Sequence, residues 1–108
     1  MSVITVTAAD QGGTVTLQPG QRLIVQLAEN PTTGFRWAKV QGDEEIIPLK
    51  DSTYVVISAA AIGGGGQRNF IFEAGKPGST PLQFKLWREW EGESSVQQRF
   101  GIKLVVSP

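Results

Sequence analysis

The sequence contains no cysteine and no histidine among its 108 residues. Without cysteine there can be no disulfide, no thiolate metal site and no cysteine nucleophile. Without histidine there can be no Ser-His-Asp or Cys-His catalytic arrangement and no imidazole metal site. We therefore expect a protein that is not an enzyme, that binds no metal or cofactor, and whose fold is stabilised by packing.

The sequence also lacks an excess of charge of either sign and any long run of apolar residues. Ten basic and ten acidic residues give a formal net charge of 0, with no run of like charge, whereas nucleic-acid binding requires a basic surface. No segment approaches the about 20 apolar residues that span a membrane, and the N-terminus lacks the pattern of a signal peptide. We expect a soluble domain with no nucleic-acid or membrane partner, in a compartment that composition leaves unspecified.

The length predicts a single domain, residues 1–108, that buries somewhat over ~60% of the surface of its unfolded chain. Apolar and polar residues alternate with period two between glycine and proline turns, and no segment has a helical period. The predicted strands are residues 3–7 with a continuation at 14–17, 22–28, 35–40, a Pro48-interrupted edge at 46–49, 54–58, 68–73, 82–87 and 96–106. This pattern predicts an all-β, immunoglobulin-like antiparallel β-sandwich of seven to eight strands.

Strand parity also predicts which side chains face the core. The inward positions are Ile4, Val6, Leu23, Val25, Leu27, Phe35, Trp37, Phe70, Phe72, Leu82, Phe84, Leu86, Phe100, Ile102, Leu104 and Val106.

The stretch Asn30-Pro31-Thr32-Thr33-Gly34-Phe35, the first loop, has an unusual composition. Its proline fixes φ and keeps the residue before it extended, its glycine can take a positive φ, and its two threonines offer hydroxyls. These features predict a short, stiff loop. They fit a loop that presents itself to a partner, but taken alone they are more typical of a rigid turn between two strands.

The second loop consists of four consecutive glycines, Gly63, Gly64, Gly65 and Gly66. Such a run indicates either a flexible tip or a place where another molecule approaches the main chain closely. It is not a phosphate loop, because Arg68 stands where a glycine would be needed and no Gly-Lys-Ser/Thr follows.

The third loop, residues 86–93, carries two tryptophans and alternating charge. Leu86 takes the inward parity, so Trp87 points the other way, and Trp90 lies beyond the strand. At least one indole is therefore predicted to be exposed. An exposed tryptophan beside Arg88 fits a binding hot spot, and a ring folded over the sandwich edge fits as well.

Together the three loops resemble the chagasin family, immunoglobulin-like inhibitors of papain-type cysteine peptidases. That family's signature is Asn-Pro-Thr-Thr-Gly-aromatic, then Gly-x-Gly-Gly, then Arg-Pro-Trp. The first motif is complete here, the second has Gly64 in the variable place, and the third is Arg88-Glu89-Trp90, with glutamate replacing proline. The resemblance covers essentially the whole chain.

The resemblance implies that the protein is a reversible, tight-binding competitive inhibitor of papain-like cysteine peptidases and a monomer when free. The three loops would enter the active-site cleft side by side. Thr32 and Thr33 would lie nearest the catalytic cysteine and histidine, with Thr33 the better placed to hydrogen-bond there. The implied protease-binding residues are Asn30, Pro31, Thr32, Thr33, Gly34, Phe35, Gly63, Gly64, Gly65, Gly66, Arg88 and Trp90.

The same resemblance gives the other two loops their roles. The glycine backbone would run along the non-primed side of the cleft like a substrate strand. Arg88 and Trp90 would contact the opposite side of the cleft. Glu89 would leave the third loop freer than proline does.

Two other classes of function remain at this stage. An adhesion or carbohydrate-binding β-sandwich would use Trp37, Trp87 and Trp90 as a coplanar stacking platform, whereas inhibition requires the three loops to converge at one end. An enzyme using the neighbouring Glu44 and Glu45 is disfavoured, because adjacent residues in a strand point to opposite faces and in a turn are solvated.

Overall fold

The computed structural model describes residues 3–56 and 65–108. The described strands are β1 (Val3–Thr7), β2 (Thr14–Leu17), β3 (Arg22–Glu29), β4 (Arg36–Gln41), β5 (Leu49–Val56), β6 (Gly66–Glu73), β7 (Gly78–Trp87) and β8 (Gln98–Val106). Single 3-10 turns occupy Ala8–Asp10, Pro31–Thr33, Glu89–Glu91 and Glu93–Ser95. None of the described residues belongs to a helix with the length and apolar character needed to cross a membrane.

The strands form two four-stranded sheets, in the orders β1-β3-β6-β5 and β2-β8-β7-β4. The predicted all-β sandwich is confirmed, and the sheets are mixed. β1 pairs parallel with β3, and β2 pairs parallel with β8, while the other pairings between described strands are antiparallel. The chain changes sheets between β1 and β2, so each of these short strands is added to the edge of a different sheet.

The core lies between the two sheets, and strand parity predicted it correctly. Of the predicted inward residues, Ile4 and Phe35 are half-buried and packed against the core, and the others are buried. Phe84 sits at the centre, with its ring centroid 4.8 Å from that of Phe70 and 6.2 Å from those of Phe72 and Phe100. Each such side chain contributes about 1.5–3 kcal/mol when fully buried, so the strands form a firm support for the loops at their ends.

The edge strand expected at residues 46–49 was wrong. Ile46 and Ile47 lie in a turn, because the main-chain N–H groups of Glu45 and Ile47 donate to the side chain and the carbonyl of Asp43, each at 2.8 Å. An aspartate that binds nearby main-chain N–H groups favours a turn over a strand. Ile47 is nevertheless fully buried, so the turn contributes to the core.

The strand expected at 54–58 begins earlier, at Leu49. The first half of β5 was missed because it is an exposed edge with a register shift between Leu49 and Asp51, so its hydrophobic alternation is interrupted. Residues 57 and 58, the predicted end of this strand, lie outside the described residues.

Candidate functional site

The strand ends that carry the three loops lie at one end of the sandwich. β3 ends at Glu29, which pairs with Gly66 at the start of β6, and Val56 at the end of β5 pairs with the same glycine. In the other sheet, Arg36 at the start of β4 pairs with Trp87 at the end of β7. The first, second and third loops therefore leave the sandwich side by side, as inhibition requires.

The first loop is stiffened by Asn30. Its side-chain Oδ1 accepts hydrogen bonds from the Thr32 N–H at 3.0 Å and the Thr32 hydroxyl at 2.6 Å. Its main-chain oxygen accepts from the Thr33 N–H at 3.2 Å and the Thr33 hydroxyl at 2.8 Å. Gly34 closes the loop with φ +80°, a conformation that favours glycine. The two threonines are exposed at the tip, whereas Asn30 shapes the loop from inside.

Arg88 joins the third loop to the first. Its Nε and Nη2 both donate to the carbonyl oxygen of Thr33, at 3.1 and 3.0 Å. The guanidinium lies 4.4 Å from the ring centroid of Phe35, and Nη1 is 3.5 Å from a carboxylate oxygen of Glu91. The side chain of Arg88 is 35% exposed. Its hydrogen-bonding capacity is therefore used largely within the site, and Phe35 supports it from below.

Trp90 is the large exposed group of the site. It is 73% exposed, and its ring lies on Gly34, where an added Cβ would be 2.7 Å from Cη2 of the indole. Arg88 has φ −99° and ψ 111°, so it keeps the extended backbone that a residue before proline takes, although Glu89 follows it. Trp90 is thus placed beside the tip of the first loop without the family proline.

Gly65 and Gly66 of the second loop differ in their surroundings, and Gly63 and Gly64 lie outside the described residues. A Cβ on Gly66 would be 2.1 Å from the hydroxyl of Tyr54 and 2.6 Å from the carbonyl oxygen of Val55, so only glycine fits there. A Cβ on Gly65 would meet nothing within 4 Å among the described atoms. Gly66 therefore serves internal packing, and Gly65 faces open space.

Glu29 was missed by the sequence reasoning, and so was its partner Arg68. The Glu29 carboxylate is buried; it accepts the main-chain N–H of Trp37 on one oxygen and the Arg68 guanidinium on the other. The sequence nevertheless contained a sign of this pair. Glu29 occupies an inward-facing position of β3, two residues after Leu27, and Arg68 lies on the same face of β6 as Phe70. A charged residue on a buried parity predicts a buried ion pair near a strand end.

The third loop is also fixed to its own sheet. Lys85 of β7 donates a hydrogen bond to Glu93, and Arg99 of β8 donates to the other oxygen of that carboxylate at 3.1 Å. These cations hold the pKa of Glu93 below its usual 4.5, with the hydrogen bond from Lys85 the larger cause. The Ser95 hydroxyl accepts from the N–H of Arg88 at 3.0 Å and can donate to its carbonyl oxygen, 2.9 Å away.

The three tryptophans differ in exposure, so they do not present three exposed rings as a stacking platform would. Trp37 is buried, Trp87 is half-buried with the ammonium of Lys85 3.5 Å from its ring centroid, and Trp90 lies at the loop end. Glu44 and Glu45, the adjacent carboxylates considered for an enzyme, are exposed to solvent. Each of them forms an ion pair with a lysine.

The fold and the site define a class of protein: an immunoglobulin-like β-sandwich that presents firmly held loops at one end, which is how such scaffolds bind other proteins. A family model described as "Chagasin family peptidase inhibitor I42" matches residues 16–104. The chain therefore belongs to the chagasin family of peptidase inhibitors, and it is an inhibitor rather than an enzyme.

Individual relatives agree with this family. Chagasin from Trypanosoma cruzi is 30% identical over 104 residues, which cover 92% of this chain and 94% of chagasin. The cysteine protease inhibitor EhICP2 from Entamoeba histolytica has a similar structure, with a TM-score of 0.85, 19% identity and coverage of 96% and 95% of the two chains. PbICP-C, solved in complex with falcipain-2, gives a TM-score of 0.66 with 17% identity and coverage of 99% and 91%.

Proposed function

We propose that this protein is a reversible, tight-binding competitive inhibitor of papain-like cysteine peptidases, and that its three loops fill the active-site cleft. The observation that carries the proposal is the first loop, a complete Asn-Pro-Thr-Thr-Gly motif held rigid with Thr32 and Thr33 exposed beside Trp90. The relatives support it, since one is named as a cysteine protease inhibitor and another was solved in complex with falcipain-2.

In this mechanism the inhibitor supplies no reacting group and covers a nucleophile that belongs to its partner. Tight binding would follow from preorganisation of the first and third loops, because loops held by hydrogen bonds in the free protein lose little conformational entropy on docking. The Thr33 hydroxyl donates to the carbonyl oxygen of Asn30 in the free protein. Towards the peptidase it would therefore act as an acceptor, for example of a hydrogen bond from the catalytic histidine.

The proposed protease-binding residues divide into two groups. Thr32, Thr33, Gly65 and Trp90 are open to a partner, and we assign the direct contacts to them. The second group consists of residues that hold the loops in place, namely Asn30, Gly34, Phe35, Gly66 and Arg88. Pro31 contributes through the main chain of the 3-10 turn Pro31–Thr33. Gly63 and Gly64 remain in the proposed surface through the main-chain contacts that the family resemblance implies.

The experiment is a titration of papain and of a cathepsin-like enzyme with the wild type and the variants Thr33→Ala, Gly65→Glu and Trp90→Ala. Lys76→Ala is the control, because Lys76 is exposed in the turn between β6 and β7, at the opposite end from the loops. We expect Gly65→Glu to weaken inhibition most, since its side chain must collide with the partner, and the control to inhibit like the wild type. No loss of peptidase activity at micromolar wild-type protein would refute the proposal, and equal inhibition by all variants would refute the site.

A further inference from the structure

A buried carboxylate lies where the stems of the first and second loops meet. We propose that Glu29, together with Arg68, is a positioning pair that fixes the stems of these two loops relative to each other, so that affinity for the peptidase depends on a carboxylate that does not contact it. This inference rests on the proposed function and deepens it.

Glu29 first connects the two stems of the first loop. It is the last residue of β3, directly before Asn30, and its Oε1 accepts the N–H of Trp37 at 2.7 Å. Trp37 is the second residue of β4, where the chain has just left the first loop. Since β3 and β4 belong to different sheets, this hydrogen bond joins the sheets directly beneath the loop, next to a second one from the Trp37 indole N–H to the carbonyl oxygen of Ala28 at 2.8 Å.

The second oxygen of the same carboxylate reaches the stem of the second loop. Oε2 alone accepts two charge-assisted hydrogen bonds from Arg68, from Nε at 3.1 Å and Nη2 at 2.9 Å. Arg68 lies near the start of β6, and its Nη1 is 3.4 Å from the hydroxyl of Ser52 on β5. The hydroxyl of Tyr54, also on β5, donates to the main-chain oxygen of Glu29 at 3.4 Å. Both stems of the second loop are thereby tied to Glu29.

Burial makes the carboxylate hard to replace. The Glu29 side chain is 0% exposed and that of Arg68 is 19% exposed. A glutamine has the same shape but only one acceptor oxygen, so its NH2 group would face either the Trp37 N–H or the guanidinium, and two donors would meet. Glu29→Gln therefore changes the hydrogen bonding of the stems with almost no change of volume.

The alternative is that the pair only stabilises the fold. In that case, affinity would be unaffected as long as a variant is folded. A double variant, Glu29→Met with Arg68→Met, separates the two roles, because well-packed apolar residues often replace a buried ion pair without loss of stability. Such a variant would remove the unpaired charge that either single substitution leaves, and the N–H of Trp37 would still lack its acceptor.

The experiment compares the wild type, Glu29→Gln and the double methionine variant, with Glu45→Gln as the control. Glu45 forms an exposed ion pair with Lys76, at 3.3 Å, at the other end of the sandwich. The measurements are urea unfolding, the inhibition constant for papain where every variant is fully folded, and amide hydrogen exchange. We expect Glu29→Gln to raise the inhibition constant by about tenfold or more, chiefly through faster dissociation.

Hydrogen exchange gives a readout that does not depend on a peptidase. We expect Glu29→Gln to accelerate exchange in residues 30–36 and 66–68 and to leave residues 43–47 unchanged. The double methionine variant should unfold at a higher urea concentration than Glu29→Gln, although below the wild type because the Trp37 N–H lacks its acceptor, and it should keep the weakened inhibition.

The outcomes distinguish this inference from the proposed function. Wild-type inhibition and wild-type exchange in Glu29→Gln would overturn the inference, and so would recovery of both stability and inhibition in the double variant. The wild type could fail to inhibit papain while Glu29→Gln still accelerated exchange in the stems. That result would refute the proposed function and would support the positioning of the loop stems by Glu29.

Discussion

At the scale of single residues, identical neighbours in the sequence have different roles in space. Gly65 and Gly66 cannot be told apart from the run of four glycines, yet Gly66 packs against Tyr54 and Gly65 is open. The same is true of residues grouped by motif. Asn30 and Arg88 belong to the binding signature, and their polar groups are turned largely towards the first loop itself.

This difference leads to a paired prediction. Gly66→Ala should destabilise the protein by about 1–3 kcal/mol, because the new methyl group would overlap the Tyr54 hydroxyl and the carbonyl oxygen of Val55, which is part of the main chain of β5. Gly65→Ala should leave stability within about 0.5 kcal/mol of the wild type. Urea unfolding measures both, and equal stability of the two variants would contradict the packing described for Gly66.

At the scale of elements, the third loop acts as a support for the first. The two hydrogen bonds from Arg88 to the carbonyl oxygen of Thr33, and its stacking on Phe35, require a planar guanidinium with several donors. The ammonium of a lysine cannot reproduce both interactions.

Arg88→Lys should therefore weaken peptidase binding by about tenfold, the equivalent of one charge-assisted hydrogen bond. The overall stability should change little, because the site is at the surface. Calorimetric titration against papain measures the affinity, with Arg22→Lys as a control, since Arg22 is exposed at the start of β3, at the other end of the strand. Unchanged affinity of Arg88→Lys would show that the first loop holds its shape alone.

The attachment of the third loop to its sheet should depend on pH. Lys85 and Arg99 lower the pKa of Glu93 from 4.5, so the carboxylate is more acidic in the folded than in the unfolded chain. Its contribution to stability is then present above pH 4.5 and is lost as the pH falls through the folded pKa. Glu44 behaves in the same way, because a hydrogen bond from Lys39 lowers its pKa.

The expected result is that Glu93→Gln loses less stability than the wild type as the pH falls below 4.5. Urea midpoints measured from neutral to acidic pH test this, and the dependence that remains in the variant should include the part due to Glu44. Identical pH dependence in both proteins would mean that the pairs with Lys85 and Arg99 do not persist in solution.

At the scale of the whole molecule, the sequence predicted the features that follow from the two-residue alternation of apolar and polar side chains within a strand. The inward sets of β3, β7 and β8 were correct because a shift of one residue would move every apolar side chain of a strand to the wrong face. The edge strand predicted at 46–49 was wrong because Asp43 accepts hydrogen bonds from nearby main-chain N–H groups and so favours a turn. The pattern of apolar residues gives no sign of these hydrogen bonds. Two Ile residues were read as a strand where the chain turns.

The remaining features depend on which strands become neighbours. Neither the parallel pairing of β1 with β3 and of β2 with β8 nor the contact of Glu29 with Arg68, 39 positions apart, can be read from one segment. The clustering of the three loops is of the same kind. The residues suggested it only through their resemblance to the chagasin family, and the pairing of Glu29 with Gly66 and of Arg36 with Trp87 brings the described stems of the loops to one end of the sandwich.

The central proposal is that these three loops together cover the catalytic cysteine of a papain-like peptidase. The most direct measurement is the rate at which a small thiol reagent alkylates the catalytic cysteine of papain in the presence of increasing amounts of this protein. Our account predicts that alkylation stops at one equivalent and that the inhibitor chain is recovered uncleaved. Alkylation at the uninhibited rate with the protein in excess would contradict it.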